Sequence, residues 1–154
     1  MAVRISDLLD PARIDLNVRS ARRTTALAQV AGLLESHEAM TNYKGFYKDL
    51  LARERLDSTC LGNSVALPHA RTDHLKETLL AVGRHDRGIY FEKADEHVKL
   101  MFLLGTPKKD PTAYLSLVSR LCKLVKQPAL RTALLEAETP AEFIAAVTDA
   151  EAKL

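Results

Sequence analysis

The amino-acid sequence predicts an α/β fold, a single mixed β-sheet of about five strands flanked by helices on both faces. Three observations carry that expectation. Helical apolar periodicity comes first in the chain and returns at its end. Between them lie short Val-, Ile- and Leu-rich runs bounded by glycine and proline. Runs such as Leu100-Met101-Phe102-Leu103-Leu104 are apolar at consecutive positions, as in strands covered on both sides.

The elements follow in order. Leu27, Val30, Ala31 and Leu34 recur at i, i+3, i+4, i+7, which predicts a helix starting near Ser20 as N-cap. Tyr43, Phe46, Tyr47, Leu50 and Leu51 repeat the pattern in a second helix, capped at Thr41 or Asn42. Strands are expected at Ser64 to Leu67, Leu79 to Val82, Ile89 to Phe91 and Val98 to Leu104, bounded by Gly62, Pro68, Gly83, Gly88 and Gly105. Asp110-Pro111 opens a helix with Tyr114, Leu117, Val118, Leu121 and Val125 on its stripe. A short helix follows Pro128, and Thr139-Pro140-Ala141-Glu142 reads as a capping box before Phe143, Ile144 and Val147. The chain has no repeat, low-complexity tract or Gly/Ser linker, so residues 1–154 read as one domain.

Composition narrows the function classes. An apolar fraction of 47% and a charged fraction of 27% are those of a folded soluble domain. The 22 basic and 20 acidic residues leave a net charge of +2 without a basic stripe, which argues against a nucleic-acid partner. No basic amphipathic run suggests a membrane surface, and Leu100 to Leu104 is too short to span a bilayer. The N-terminal stretch from Met1 to Asp10 carries charges where a signal peptide needs an apolar run. Cys60 and Cys122 make no disulfide framework, and the expected address is the cytoplasm.

Of the five histidines, His37, His74, His85 and His97 lie in polar surroundings or at a helix end and read as surface residues. None has zinc-site spacing with a cysteine. His69 differs. It ends the apolar strand Val65-Ala66-Leu67-Pro68, where core gives way to solvent. Pro68 stiffens the approach, Gly62-Asn63 supplies a turn of the kind that can bind anions, and Arg71 falls on the same strand face if the strand continues. A neutral imidazole is a competent nucleophile near pH 7, and phosphoryl transfer to it asks mainly for position and positive charge. The bland alternative is a rim histidine holding a turn. Cys60 beside His69 could form a nucleophilic pair, but no oxyanion-hole motif accompanies it. A small buried thiol is the simpler reading for Cys60, and Cys122 reads as core.

The run Arg53-Glu54-Arg55-Leu56-Asp57-Ser58-Thr59-Cys60-Leu61-Gly62-Asn63-Ser64-Val65-Ala66-Leu67-Pro68-His69-Ala70-Arg71 resembles the signature of enzyme IIA of the fructose–mannitol class. That enzyme is the phosphocarrier of the phosphoenolpyruvate-dependent sugar phosphotransferase system, which has a nitrogen-regulatory branch. The resemblance extends in length and element order from about Ile5 to Val147. It implies that His69 accepts a phosphoryl group from HPr or a nitrogen-branch counterpart. It implies also that Arg53 neutralises that group and that Thr59, Gly62 and Asn63 form the supporting turn. The onward partner it implies is an enzyme IIB domain or a regulated transporter or kinase. No metal or organic cofactor is implied, because the donor is a protein.

The sequence departs from the family pattern at telling positions. The family's second histidine, in a His-Leu-x-x-Leu pattern, is matched by Tyr114 in Tyr114-Leu115-Ser116-Leu117. A tyrosine hydroxyl can donate to phosphate or to His69 but carries no positive charge near pH 7. Family glycines are replaced by Asp57, Cys60 and Ser64. These departures motivate a second function, a regulatory binding module of the same fold that controls a transporter or kinase.

Overall fold

The computed structural model describes residues 3–154, so Met1 and Ala2 of the N-terminal stretch lie outside it. In chain order the elements are α1 (Ile5–Leu8), β1 (Ile14–Asp15), α2 (Arg23–Ala31), α3 (Tyr43–Leu56), β2 (Cys60–Gly62), β3 (Val65–Ala66), β4 (His69–Thr72), β5 (Leu79–Phe91), β6 (Glu96–Pro107), α4 (Pro111–Val125), α5 (Pro128–Glu136) and α6 (Pro140–Ala152).

The strands form one six-stranded sheet in the order β1-β5-β6-β3-β2, with β4 also paired to β6. The apolar run of β6 is its spine. It pairs antiparallel with β5 and parallel with both β3 and β4, which follow one another along its edge. Because side chains alternate between faces, the consecutive apolar residues of β6 serve two cores. Leu100, Phe102 and Leu104 pack on one face with Leu117, Leu121 and Phe143 of α4 and α6. Met101 and Leu103 pack on the other with Leu27, Val30, Phe46 and Leu50 of α2 and α3. The mixed sheet covered on both faces is as expected, with six strands in place of about five.

Differences from the expected elements have local causes. Ser20 does not cap α2. Its hydroxyl accepts the Arg22 N–H at 3.1 Å in a turn before the helix, which starts at Arg23. Asn42, by contrast, caps α3 by accepting the Gly45 N–H at 3.0 Å. The two runs expected at Leu79 to Val82 and Ile89 to Phe91 are one strand, because its ladder with β6 resumes after an irregularity between Arg84 and Ile89. Gly88, at φ 101°, takes the left-handed backbone that this bulge requires. At α6, Thr139 accepts the Glu142 N–H, but the Glu142 carboxylate takes the Glu138 N–H one residue before the cap, so the box closes on a different donor. Cys122 is half-buried and belongs to neither core.

The absence of a side chain at Gly105 brings α3 down onto β4 and β6. A Cβ there would lie 2.6 Å from Leu75 Cδ1 and 2.8 Å from Phe46 Cε1. Helix α3 runs antiparallel to β4, with the Thr72 hydroxyl donating to Asp49 at 2.8 Å. The C-terminal turn of α3 therefore ends beside the start of β4.

Candidate functional site

His69 does not end the strand before it. β3 stops at Ala66 and His69 opens β4. Between them Leu67-Pro68 leaves the regular ladder while the chain keeps its parallel course. The Leu67 N–H extends the pairing with β2 by one residue, donating to the Thr59 carbonyl at 2.9 Å, and the Pro68 carbonyl accepts from Leu104 N–H. That break turns the Leu67 carbonyl towards the imidazole, and His69 Nδ1 lies 2.9 Å from it. A carbonyl only accepts, so Nδ1 carries the proton and donates.

Nε2 is then the unprotonated nitrogen. Tyr114, at the end of the first turn of α4, donates its hydroxyl to Nε2 at 2.9 Å. The helix reaches His69 because Asp110 caps it by accepting the Ala113 N–H, and Pro111 sets its first residue. Arg71 lies on the same face of β4 as His69, and its guanidinium carbon stands 5.7 Å from the centre of the Tyr114 ring. Arg53, in the last turn of α3, donates to the Asp57 carbonyl at 3.1 Å.

Burial pushes the His69 imidazole below its ordinary range. The hydrogen bond to Leu67 opposes this, and the Arg53 charge lowers the value further. His69 is 9% exposed, with both ring nitrogens engaged. The centre is thus a neutral, oriented imidazole whose unprotonated nitrogen is Nε2, with two guanidinium groups and a phenol nearby. Such a group can attack an electrophilic phosphorus, with positive charge at hand for its oxygens.

A family model described as "Phosphoenolpyruvate-dependent sugar phosphotransferase system, EIIA 2" matches residues 7–150. The chain belongs to this EIIA family. The nitrogen regulatory protein of Pseudomonas aeruginosa is 27% identical over 150 residues, covering 97% of this chain and 97% of that one. The fructose-specific EIIABC component of the phosphotransferase system in Bacillus subtilis is 28% identical over 138 residues, 89% of this chain. This chain spans only 22% of that longer protein. Among solved structures, the nitrogen regulatory protein IIA-Ntr of Neisseria meningitidis superposes with a TM-score of 0.85 at 27% identity, covering 93% of this chain and 98% of that one. The chain therefore has the fold of the EIIA phosphocarriers, nitrogen-regulatory members included.

Within this EIIA fold the residues expected at the site separate into two groups. His69 and Tyr114 meet directly, Arg71 lies over the Tyr114 ring, Arg53 stands within electrostatic reach, and Thr59 holds Leu67 through its carbonyl. Gly62 and Asn63 are not brought to His69. They lie in the β2–β3 hairpin, where Gly62 pairs with Val65, and Val65 and His69 pair with Leu100 and Leu104 of β6. Four residues of extended chain put the hairpin about 13 Å along the sheet from the imidazole. Asn63 and Ser64 take φ values of 56° and 64° there, so of the three replaced glycines Ser64 is the one in left-handed backbone. The Cys60 thiol is half-buried, and burial pushes it up, away from a reactive thiolate.

Two contributors were missing from the sequence reading. Leu67 acts through a carbonyl that any residue would supply, so no side-chain signal marks it. Glu54 is 4% exposed and holds the Thr59 hydroxyl at 2.7 Å. Its place beside Arg53 in the quoted signature was visible, but its burial was not. The other histidines lie elsewhere: the Nδ1 atoms of His37 and His85 accept from Ala39 and Gly88 N–H, His97 packs on Tyr90, and His74 lies against α3, its Nε2 4.0 Å from Asp49.

Proposed function

We propose that this chain is a phosphohistidine carrier of the phosphotransferase system, with His69 Nε2 as acceptor and donor of the phosphoryl group. The observation that carries this reading is the Nδ1–H bond to the Leu67 carbonyl, which leaves Nε2 unprotonated on a neutral ring. The Nε2 lone pair forms the new N–P bond while the donor's bond to phosphorus breaks and its electron pair leaves with the donor. Arg53 and Arg71 offset charge on the phosphoryl oxygens. Once phosphorus occupies Nε2, the Tyr114 hydroxyl has lost its acceptor and is free to donate to a phosphoryl oxygen.

The donor in this reading is an HPr-like phosphocarrier. The group then passes to an enzyme IIB-type acceptor or serves as a signal on a transporter or kinase. The name of the B. subtilis relative supports the first route, since it joins EIIA to B and C portions in one component. The near full-length match to a nitrogen regulatory protein supports the second. The working unit is residues 1–154 as one domain, acting in the cytoplasm. No helix among the described residues is long and apolar enough to cross a membrane.

One observation favours the binding-module alternative. The Tyr114 hydroxyl occupies the nitrogen that must react. Incubation with phosphoenolpyruvate, enzyme I and HPr, or their nitrogen-branch counterparts, separates the readings. Acid-labile phosphate that disappears in His69→Ala is expected. No label across these carriers would sink the carrier reading, and label surviving in His69→Ala would move the site elsewhere.

A further inference from the structure

The last turn of α3 carries two neighbouring charges in opposite directions. Arg53 faces the imidazole region, whereas Glu54 is buried, 4% exposed, under the chain that follows the helix. A buried carboxylate is a poor way to gain stability, because an uncharged side chain would fill the space without the cost of desolvation. The protein nevertheless holds this one from several sides. Arg23 of α2 lies 3.6 Å from Glu54 Oε2 and is itself gripped by Glu92, whose Oε1 accepts from Nε at 3.1 Å and Nη2 at 2.9 Å. Lys93, beside Glu92 beyond β5, donates its Nζ to the Glu54 and Arg55 carbonyls and so closes the end of the helix. The remaining carboxylate oxygen, Oε1, accepts the Thr59 hydroxyl at 2.7 Å.

From Thr59 the hydrogen bonds continue to the imidazole. Its carbonyl accepts the Leu67 N–H at 2.9 Å, and the Leu67 carbonyl accepts from His69 Nδ1 at 2.9 Å. We infer that Glu54 is a positioning residue for His69, fixing through Thr59 and Leu67 which ring nitrogen holds the proton and which is free to react. The inference rests on the reading of His69 as the phosphoryl acceptor. The physical reason is that Leu67 lies in a break of the β6 ladder, so its carbonyl is turned to His69 and its position is set from the other side, by Thr59. Thr59 holds the Leu67 backbone by its N–H, and Thr59 follows the exposed residues Leu56 and Asp57 and the half-buried Ser58. The buried carboxylate is what anchors it. The group bonded to the far nitrogen of a reacting imidazole sets its tautomer and orientation; here that group is the Leu67 carbonyl, and Glu54 acts on it through two further hydrogen bonds.

The test compares Glu54→Ala, Glu54→Gln and Thr59→Val with the wild-type chain. The imidazole tautomer of His69 is read from long-range proton–nitrogen NMR correlations, with its signals assigned by their loss in His69→Gln. Wild type is expected as the Nδ1–H tautomer. Glu54→Ala and Thr59→Val are expected to populate both tautomers and to slow phosphoryl uptake from phosphorylated HPr about tenfold, through kcat and not KM. Glu54→Gln keeps the acceptor and is expected to restore both tautomer and rate. A folded Thr59→Val or Glu54→Ala protein with the wild-type tautomer would overturn the inference, and Thr59→Val decides it alone if Glu54→Ala does not fold. The tautomer is measured without phosphate, so an unlabelled wild type would refute the carrier reading and leave this result standing.

Discussion

The Tyr114 hydroxyl and His69 Nε2 are 2.9 Å apart, and the hydroxyl is the donor. The unprotonated nitrogen of this β4 residue is therefore capped in the resting protein by a residue of helix α4. Attack on phosphorus requires that cap to turn aside, so one contact both orients the ring and restrains it.

Removal of the cap should speed phosphorylation. A neutral hydrogen bond has a net value of about 0.5–1.5 kcal/mol, so Tyr114→Phe should raise the initial rate about 2–10-fold. Tyr114→His should also accelerate uptake, by adding a second group able to carry positive charge. Rates come from acid-labile label at early times with phosphorylated HPr. An unchanged or slower Tyr114→His protein would show that tyrosine is no weaker a substitute at that position.

Arg53→Ala should slow phosphorylation and let the His69 imidazole rise towards its ordinary range. Both effects follow from the same positive charge, which lowers the imidazole pKa and offsets phosphoryl charge. A hydrogen bond to a charged group contributes about 1.5–3 kcal/mol, so the rate should drop about 10–150-fold. Labelling kinetics give the rate, and an NMR titration of His69 gives the direction of the pKa change. A slower rate with an unmoved titration would place Arg53 too far from the ring to act on it by charge.

The pH dependence of stability has two opposed contributions. Burial holds His69 below 6.5, so its contribution is fully present above that value and is lost as the pH falls towards its folded pKa. Burial raises Glu54 above 4.5, so its contribution is present below that value and is lost as the pH rises through its folded pKa. His69→Gln isolates the first. Wild type should lose stability relative to His69→Gln in urea unfolding as pH falls from about 7.5 to 5. Parallel profiles would mean that His69 is no less protonated in the folded chain than in the unfolded one.

Gly105→Ala should destabilise the protein by about 1–3 kcal/mol, the usual cost of overpacking a core. The added methyl would meet Leu75 Cδ1 at 2.6 Å and Phe46 Cε1 at 2.8 Å, which pushes α3 away from β4. Because α3 carries Arg53, phosphorylation should slow as well. The urea midpoint and the labelling rate together check this, and a wild-type midpoint would show that α3 accommodates the methyl.

Much of the fold could be read from local pattern. The run from Leu100 to Leu104 marked the sheet's spine because every residue of it is buried, on alternate faces. Asn42 and Asp110 were recognisable caps because the bonded N–H lies three residues on. The short strands were harder. β1 and β3 are two residues each and β4 is four, and their pairing comes from β5 and β6 far along the chain. Pro68, which reads as a strand end, is instead the break that lets the Leu67 carbonyl meet the imidazole.

The sequence alone determined that the chain is an α/β domain and that the run from Arg53 to Arg71 resembles an EIIA signature, and it singled out His69 and Tyr114 as candidate site residues. These follow from side-chain order, which a sequence states directly. Only the tertiary structure decided which nitrogen of His69 is unprotonated, that Tyr114 caps it, that Gly62 and Asn63 stand about 13 Å away along the sheet, and that buried Glu54 is bonded to Thr59. Each of these depends on strand register and on where α3 and α4 dock. The contact between His69 and Tyr114, 45 residues apart, exists only because α4 docks on the sheet beside β4.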